Sequence, residues 1–156
     1  MAFLNKVSMD FQTYSAFEND AKYNKAAQAW QAVLKSIEPF TLSETSLSTI
    51  ATYNKLHAES PDVKIAFKNL QKANIALQQS LVKNDKLFRK NYNRDVWIAL
   101  GVGCIGVGLG AALGSALGSM AYIGLGMPIG MLIGILIGRS MDQKAEKEGR
   151  VYSINS

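Results

Sequence analysis

Two stretches decide how this chain folds: Gly106-Val-Gly-Leu-Gly110-Ala-Ala-Leu-Gly114-Ser-Ala-Leu-Gly118 and Gly126-Met-Pro-Ile-Gly130-Met-Leu-Ile-Gly134-Ile-Leu-Ile-Gly138. In each, glycine recurs at every fourth residue. In water, a glycine inside a helix costs about 1 kcal/mol relative to alanine. A soluble helix is therefore not expected to carry four in register. In lipid, backbone polar groups must stay paired, so the chain stays helical. Small residues at i, i+4 then let two helix backbones touch. The pattern points to membrane helices that pack through glycine seams.

Both runs lie within one apolar, charge-free stretch, Val96 to Gly138, bounded by Asp95 and Arg139. One membrane crossing needs about 20 apolar residues. This stretch is too long for one crossing and right for two, with a short turn within Gly118–Pro128. A turn near Ser119 gives nearly equal spans with Pro128 inside the second. A turn near Gly124 puts Pro128 in the first turn of a shorter second helix. Arg89, Lys90 and Arg94 precede the stretch, and Arg139, Lys144, Lys147 and Arg150 follow it. Positive residues prefer the cytoplasmic side, so an even number of crossings leaves both ends there. Trp97 sits just inside the boundary, where aromatic rings anchor at the interface.

A step of four advances about 40° past a full helical turn, so the seam winds slowly and favours a right-handed crossing. The expected seams are Gly106, Gly110, Gly114, Gly118 against Gly126, Gly130, Gly134, Gly138. On this reading Gly101, Gly103, Gly108 and Gly124 lie off the seam and leave a small surface for further copies. Ser115 and Ser119 are the polar candidates for the wall of a conduit.

The first 95 residues contain no glycine and read as helical. Leu4, Val7, Phe11 and Tyr14 step along one helix face, and Tyr23, Ala26, Ala27, Trp30, Val33, Leu34 and Ile37 along another. Pro39 ends that second helix. Thr41 and Glu44 have capping-box spacing ahead of a third helix with Leu47, Ile50 and Leu56 in its stripe. Ser60-Pro61 restarts the chain as cap and first helical residue. Val63, Ala66, Phe67, Leu70, Ala73, Leu77, Leu81 and Phe88 then form a long stripe. That helix either runs on into the apolar stretch or bends near Asn84-Asp85 or Asn91–Asn93. The stripes suit mutual packing as a helical bundle. The expected organisation is all-α: residues 1–95 as a domain of three to four amphipathic helices, residues 96–138 as a glycine-zipper transmembrane hairpin, and residues 139–156 as a charged tail.

The chain carries a formal net charge of +5, with 13 Lys/Arg against 9 Asp/Glu in residues 1–95. A modest positive balance suits anionic lipid. No finger spacing or aromatic RNA-binding motif accompanies it, so no nucleic-acid partner is expected. Cys104 is the single cysteine, which rules out an internal disulfide and a cysteine metal site; it reads as a buried apolar packer. His57 is the single histidine, in a polar stretch, and reads as a surface residue. No nucleophile elbow, phosphate loop, zinc-protease motif or dinucleotide fingerprint occurs. No enzyme activity, metal or cofactor is expected. The start, Met1-Ala-Phe-Leu-Asn-Lys6, lacks the basic start and apolar core of a secretory signal.

The two glycine runs with their charged tail resemble those of bacterial glycine-zipper proteins. They look most like the small pore-forming effectors delivered by type VI secretion. The resemblance covers about the last third of the chain. It implies delivery inside the secretion tube or with a carrier, insertion into a rival cell's inner membrane, loss of membrane potential, and a cognate immunity protein in the producer; the glycine seams themselves allow homo-oligomers there. The alternatives are a non-toxic two-span membrane anchor or scaffold, a holin-like protein and an immunity protein.

Overall fold

The computed structural model describes residue 17 and residues 19–154, and over these the chain is mostly helical. The stripe predicted over Leu4–Tyr14 lies outside the described residues. The described residues divide into two compact units, one made of those up to residue 87 together with 152–154, the other of residues 88–151.

The first unit holds α1 (Ala21–Ile37), α2 (Glu44–Ala58) and α3 (Val63–Ser80). Asp20 starts α1, its carboxylate accepting the N–H groups of Lys22 and Tyr23 at 2.8 and 2.9 Å. Such a cap satisfies donors that have no partner within the helix. Of the predicted stripe, Tyr23, Ala27, Trp30, Val33, Leu34 and Ile37 are buried and Ala26 is partly buried, and the helix ends at Ile37, with Glu38 flanking it ahead of Pro39. These side chains share one core with Ile50 of α2 and with Ala66, Leu70, Ala73 and Leu77 of α3.

Two helix starts differ from expectation. Ser43, not Thr41, caps α2, its hydroxyl accepting the Ser46 N–H. A capping serine acts from the residue just outside the first turn, and Ser43 holds that place. At α3 Asp62, not Ser60, is the flanking residue, and the Ser60 hydroxyl instead donates to the Leu56 carbonyl at 2.7 Å. The buried face of α2 also differs: Ser46, Ile50 and His57 turn inward while Leu56 is exposed.

A polar cluster explains the inward serine. The Asp85 carboxylate accepts the Ser43 N–H at 2.6 Å and the Ser46 hydroxyl at 2.5 Å, and Ser46 lies 2.8 Å from the Ser80 hydroxyl. Asp85 reaches this position because α3 continues as a π turn, Leu81–Asp85, that ends at Lys86 with φ of 55°. The chain therefore breaks after Asn84-Asp85 and bends again at Asn91, with φ of 65°.

The second unit is a helical hairpin. A short strand, β1 (Phe88–Arg89), leads into α4 (Tyr92–Leu117), α5 (Ile123–Lys147) returns, and β2 (Val151–Tyr152) begins at the unit's last residue. The Phe88 N–H donates to the Arg150 carbonyl at 2.9 Å, so the unit's two ends meet. The hairpin unit thus takes in residues on both sides of the apolar stretch.

Candidate functional site

The site is the face along which α4 and α5 touch. Gly126, Gly130, Gly134 and Gly138 are all buried. A Cβ on Gly130 would lie 2.6 Å from the Gly106 Cα and would overlap the Gly101 carbonyl oxygen. One on Gly126 would lie 2.7 Å from the Gly110 Cα, and one on Gly134 would lie 2.8 Å from the Trp97 carbonyl carbon. One on Gly138 would meet the Arg94 backbone, 2.9 Å from its nitrogen. No other residue fits where two backbones approach this closely. The hydrogens in those positions face carbonyl oxygens of the other helix. Such Cα–H···O contacts contribute about 0.5–1 kcal/mol each.

The α4 side of this face departs from the four-residue repeat. Gly101, expected off the seam, is buried against Gly130 and Gly134, and it is followed on the same face by Gly106, Gly110 and Gly114. The step from Gly101 to Gly106 is five. It stays on one face because Gly101–Gly106 forms a π turn within α4. A π turn accommodates one extra residue per turn and so corrects the register. Gly118, expected on the seam, ends α4 in the left-handed conformation, with φ of 69° and open space around it. The Ser119 N–H donates to the Gly114 carbonyl at 3.1 Å, which closes the helix end. The turn therefore falls at Gly118–Ser119, followed by the 3-10 turn Met120–Tyr122, and Pro128 lies inside α5. Gly103, Gly108 and Gly124 have open space where a Cβ would be, as expected for positions off the seam.

At the opposite end a carboxylate locks the two helices. Asp142 accepts the Asn93 N–H and side-chain amide through Oδ1, and the Arg94 N–H through Oδ2, each at 3.0 Å. Asn91, the residue flanking α4, supplies no side-chain cap, so a residue 48 positions away supplies it. One helix thereby satisfies the orphan donors at the start of the other. Trp97 adds a contact one turn inward, donating from Nε1 to the Met141 sulfur at 2.9 Å. Asp142 and Asn93 carry no signal in the sequence, since a polar residue beyond an apolar stretch is common and its partner is remote.

The outer surface of the hairpin is apolar and uncovered. Leu117, Leu125, Leu132 and Leu136 are 58%, 58%, 63% and 70% exposed. Cys104 also faces outward, which corrects the expectation that it is buried. The pairing face is so fully occupied by glycine that a thiol has no place there. Ser115 and Ser119 lie on the exposed surface, and the Ser119 hydroxyl accepts the Ala121 N–H at 3.4 Å. Lys90, Arg139 and Lys144 are exposed at the charged end, Arg89 pairs with Asp95 at 3.6 Å, and Arg94 pairs with it at 3.1 Å.

His57 is buried, correcting the expectation of a surface residue. Its Nε2 lies 2.9 Å from the Tyr23 hydroxyl, and the two rings stack with centroids 5.8 Å apart. Burial lowers its pKa from the ordinary 6.5 by desolvating the charged form. A groove of about 570 Å³ between α1 and α3 has Lys22, Phe67 and Ile75 in its lining and, among the described residues, no His, Cys, Asp or Glu. Among the described residues no three His, Cys, Asp or Glu side chains converge to hold a metal ion.

Two helices, Tyr92–Leu117 and Gly124–Lys147, are long and apolar enough to cross a membrane, and only 17% and 22% of their apolar windows are buried. A core helix of a soluble protein passes the same length test but is mostly buried. Compared with protein-family models, curated proteins and solved structures, the chain matches none.

Proposed function

We propose that the chain is a membrane-inserting, pore-forming toxin: a glycine-zipper transmembrane hairpin joined to a bundle of amphipathic helices, assembling in the target membrane as a homo-oligomer and dissipating its ion gradients. The observation that carries this reading is the contrast between the two surfaces of the hairpin. Its inner face is backbone against backbone, and its outer face is exposed Leu, Ile and Met. Water disfavours that outer face by about 25 cal/mol for each Å² of apolar surface. Lipid removes the penalty, and the glycine contacts then hold the helices together where no hydrophobic force between them remains.

The lengths suit a bilayer. Val96–Leu117 spans about 33 Å at 1.5 Å per residue. Ile123–Gly138 spans about 24 Å, and the 3-10 turn adds about 6 Å, against a hydrocarbon core of roughly 30 Å. A single hairpin packed this tightly has no room for a conduit between its own helices. A conduit is therefore built between copies, with Ser115 and Ser119 on the outward surface as candidates for its wall. Action by leakage needs neither a catalytic group nor a cofactor. Delivery through a type VI secretion tube or a carrier, and a cognate immunity protein, remain part of this proposal through the resemblance alone.

The test is expression in a bacterial cytoplasm and, separately, with export to the periplasm, while membrane potential and growth are followed. The toxin reading predicts depolarisation in at least one compartment. Stable membrane insertion with unchanged potential in both supports a two-span anchor instead.

A further inference from the structure

We propose that the charged end of the hairpin is a docking collar for anionic phospholipid headgroups, which selects the bilayer that the hairpin enters and keeps both hairpin ends on the side of approach. This rests on the membrane reading above and adds a partner chemistry to it.

Residues 88–151 contain seven Lys/Arg and four Asp/Glu, and none of the eleven lies between Val96 and Gly138. The fold gathers them. Asp142 holds the starts of Asn93 and Arg94, and the Arg150 guanidinium stacks over the Phe88 ring at 5.5 Å. Cations some 50 positions apart in sequence therefore share one end, and the end at Gly118–Tyr122 has no charge at all. Most of the acidic groups are already engaged. Asp95 pairs with Arg89 and Arg94, Glu148 pairs with Arg150, and Asp142 binds backbone N–H groups. Lys90, Arg139, Lys144 and Lys147 are exposed and, among the described residues, belong to no ion pair.

The position of these four cations identifies the partner. Arg139 directly follows Gly138, which packs on Arg94, so it stands at the edge of the apolar surface. Lys144 and Lys147 lie about 7.5 and 12 Å farther along α5. A headgroup layer is roughly 5–7 Å deep on each side of the hydrocarbon core. The cations thus begin where the apolar surface ends: Arg139 and Lys144 bracket the depth of the headgroups, and Lys147 lies about 5 Å beyond them, still within a Debye length of the surface. A nucleic acid bound there would leave the adjoining apolar surface in water, whereas an anionic bilayer covers both.

The experiment is flotation of the purified full chain with vesicles of phosphatidylcholine alone or mixed with phosphatidylglycerol, at low and high salt. A cation near an anionic surface is worth about fivefold in binding. The variant Lys90→Gln, Arg139→Gln, Lys144→Gln, Lys147→Gln should lose on the order of several hundred-fold in preference for anionic vesicles. Its binding to neutral vesicles should not change. High salt should reduce the wild-type preference in the same direction, an arm that does not depend on the variant's folding. A wild-type preference that survives both changes overturns the collar. Competition by inorganic phosphate at matched ionic strength overturns the bilayer as partner. Release of an entrapped dye, measured on the same vesicles, separates the two proposals. Release without anionic preference removes the collar and keeps the pore. Anionic-dependent flotation without release keeps the collar and removes the pore.

Discussion

Gly101 and Gly130 stand back to back, and a Cβ on either would overlap the carbonyl oxygen of the other. The contact is reciprocal, so neither side can yield by rotating a side chain. Gly130→Ile and Gly101→Ile should therefore separate α4 from α5. Overpacking commonly costs about 1–3 kcal/mol, equivalent to roughly 5- to 150-fold in a coupled equilibrium. Vesicle leakage by these variants should fall by roughly 5- to 150-fold. Gly103→Ile and Gly108→Ile, where a Cβ has open space, should retain the closed hairpin. Spin-label distances between α4 and α5 in detergent check the separation directly.

The Asp142 carboxylate is the only side chain found capping the start of α4 among the described residues. Asp142→Ala should cost about 1–2 kcal/mol. Amide hydrogen exchange at Asn93 and Arg94 should then accelerate by roughly 5- to 30-fold. Asp142→Asn keeps an acceptor and should lose less. Unchanged exchange at both amides would show that the cap does not hold the hairpin base.

Buried His57 gives the first unit a pH dependence. Its folded pKa lies below the unfolded 6.5 because burial disfavours the cation. On acidification the unfolded chain takes up a proton first, and the folded state resists it. The stability contributed by neutral His57 is therefore complete above pH 6.5 and is lost as pH falls through the lower folded value. Denaturant midpoints should decline on the acid side of 6.5 in the wild type. His57→Gln should flatten that decline.

Cys104 tests the outward face. It lies about 12 Å along α4 from Val96 and is exposed. A charged, membrane-impermeant maleimide should label it in urea-unfolded protein and be blocked after insertion into vesicles. Equal labelling in both states would place the α4 outer face in water.

Much of the fold was legible from local pattern. The stripe from Tyr23 to Ile37, the stop at Pro39 and the length of Val96–Gly138 all follow from periodicity, backbone geometry and the absence of charge. The α5 half of the glycine face was equally plain, because Gly126 to Gly138 keeps a strict step of four. The α4 half was not. Its π turn brings in Gly101 and leaves Gly118 to end the helix, and a step of five carries no helical signature by itself. Asp142 and Asp85 were hidden for another reason: each binds the start of a helix that is tens of residues away in sequence. His57 looked superficial among polar neighbours because its stacking partner, Tyr23, lies on another helix. Cys104 was misplaced by a habit of soluble proteins, in which free thiols are buried.

The most direct test of the central claim is the potential of ion-loaded vesicles, followed with a potential-sensitive dye after addition of the full chain. The account predicts collapse of the potential by the wild type and by Gly108→Ile, and a potential that persists with Gly130→Ile. Insertion of the wild type with no loss of potential would contradict it.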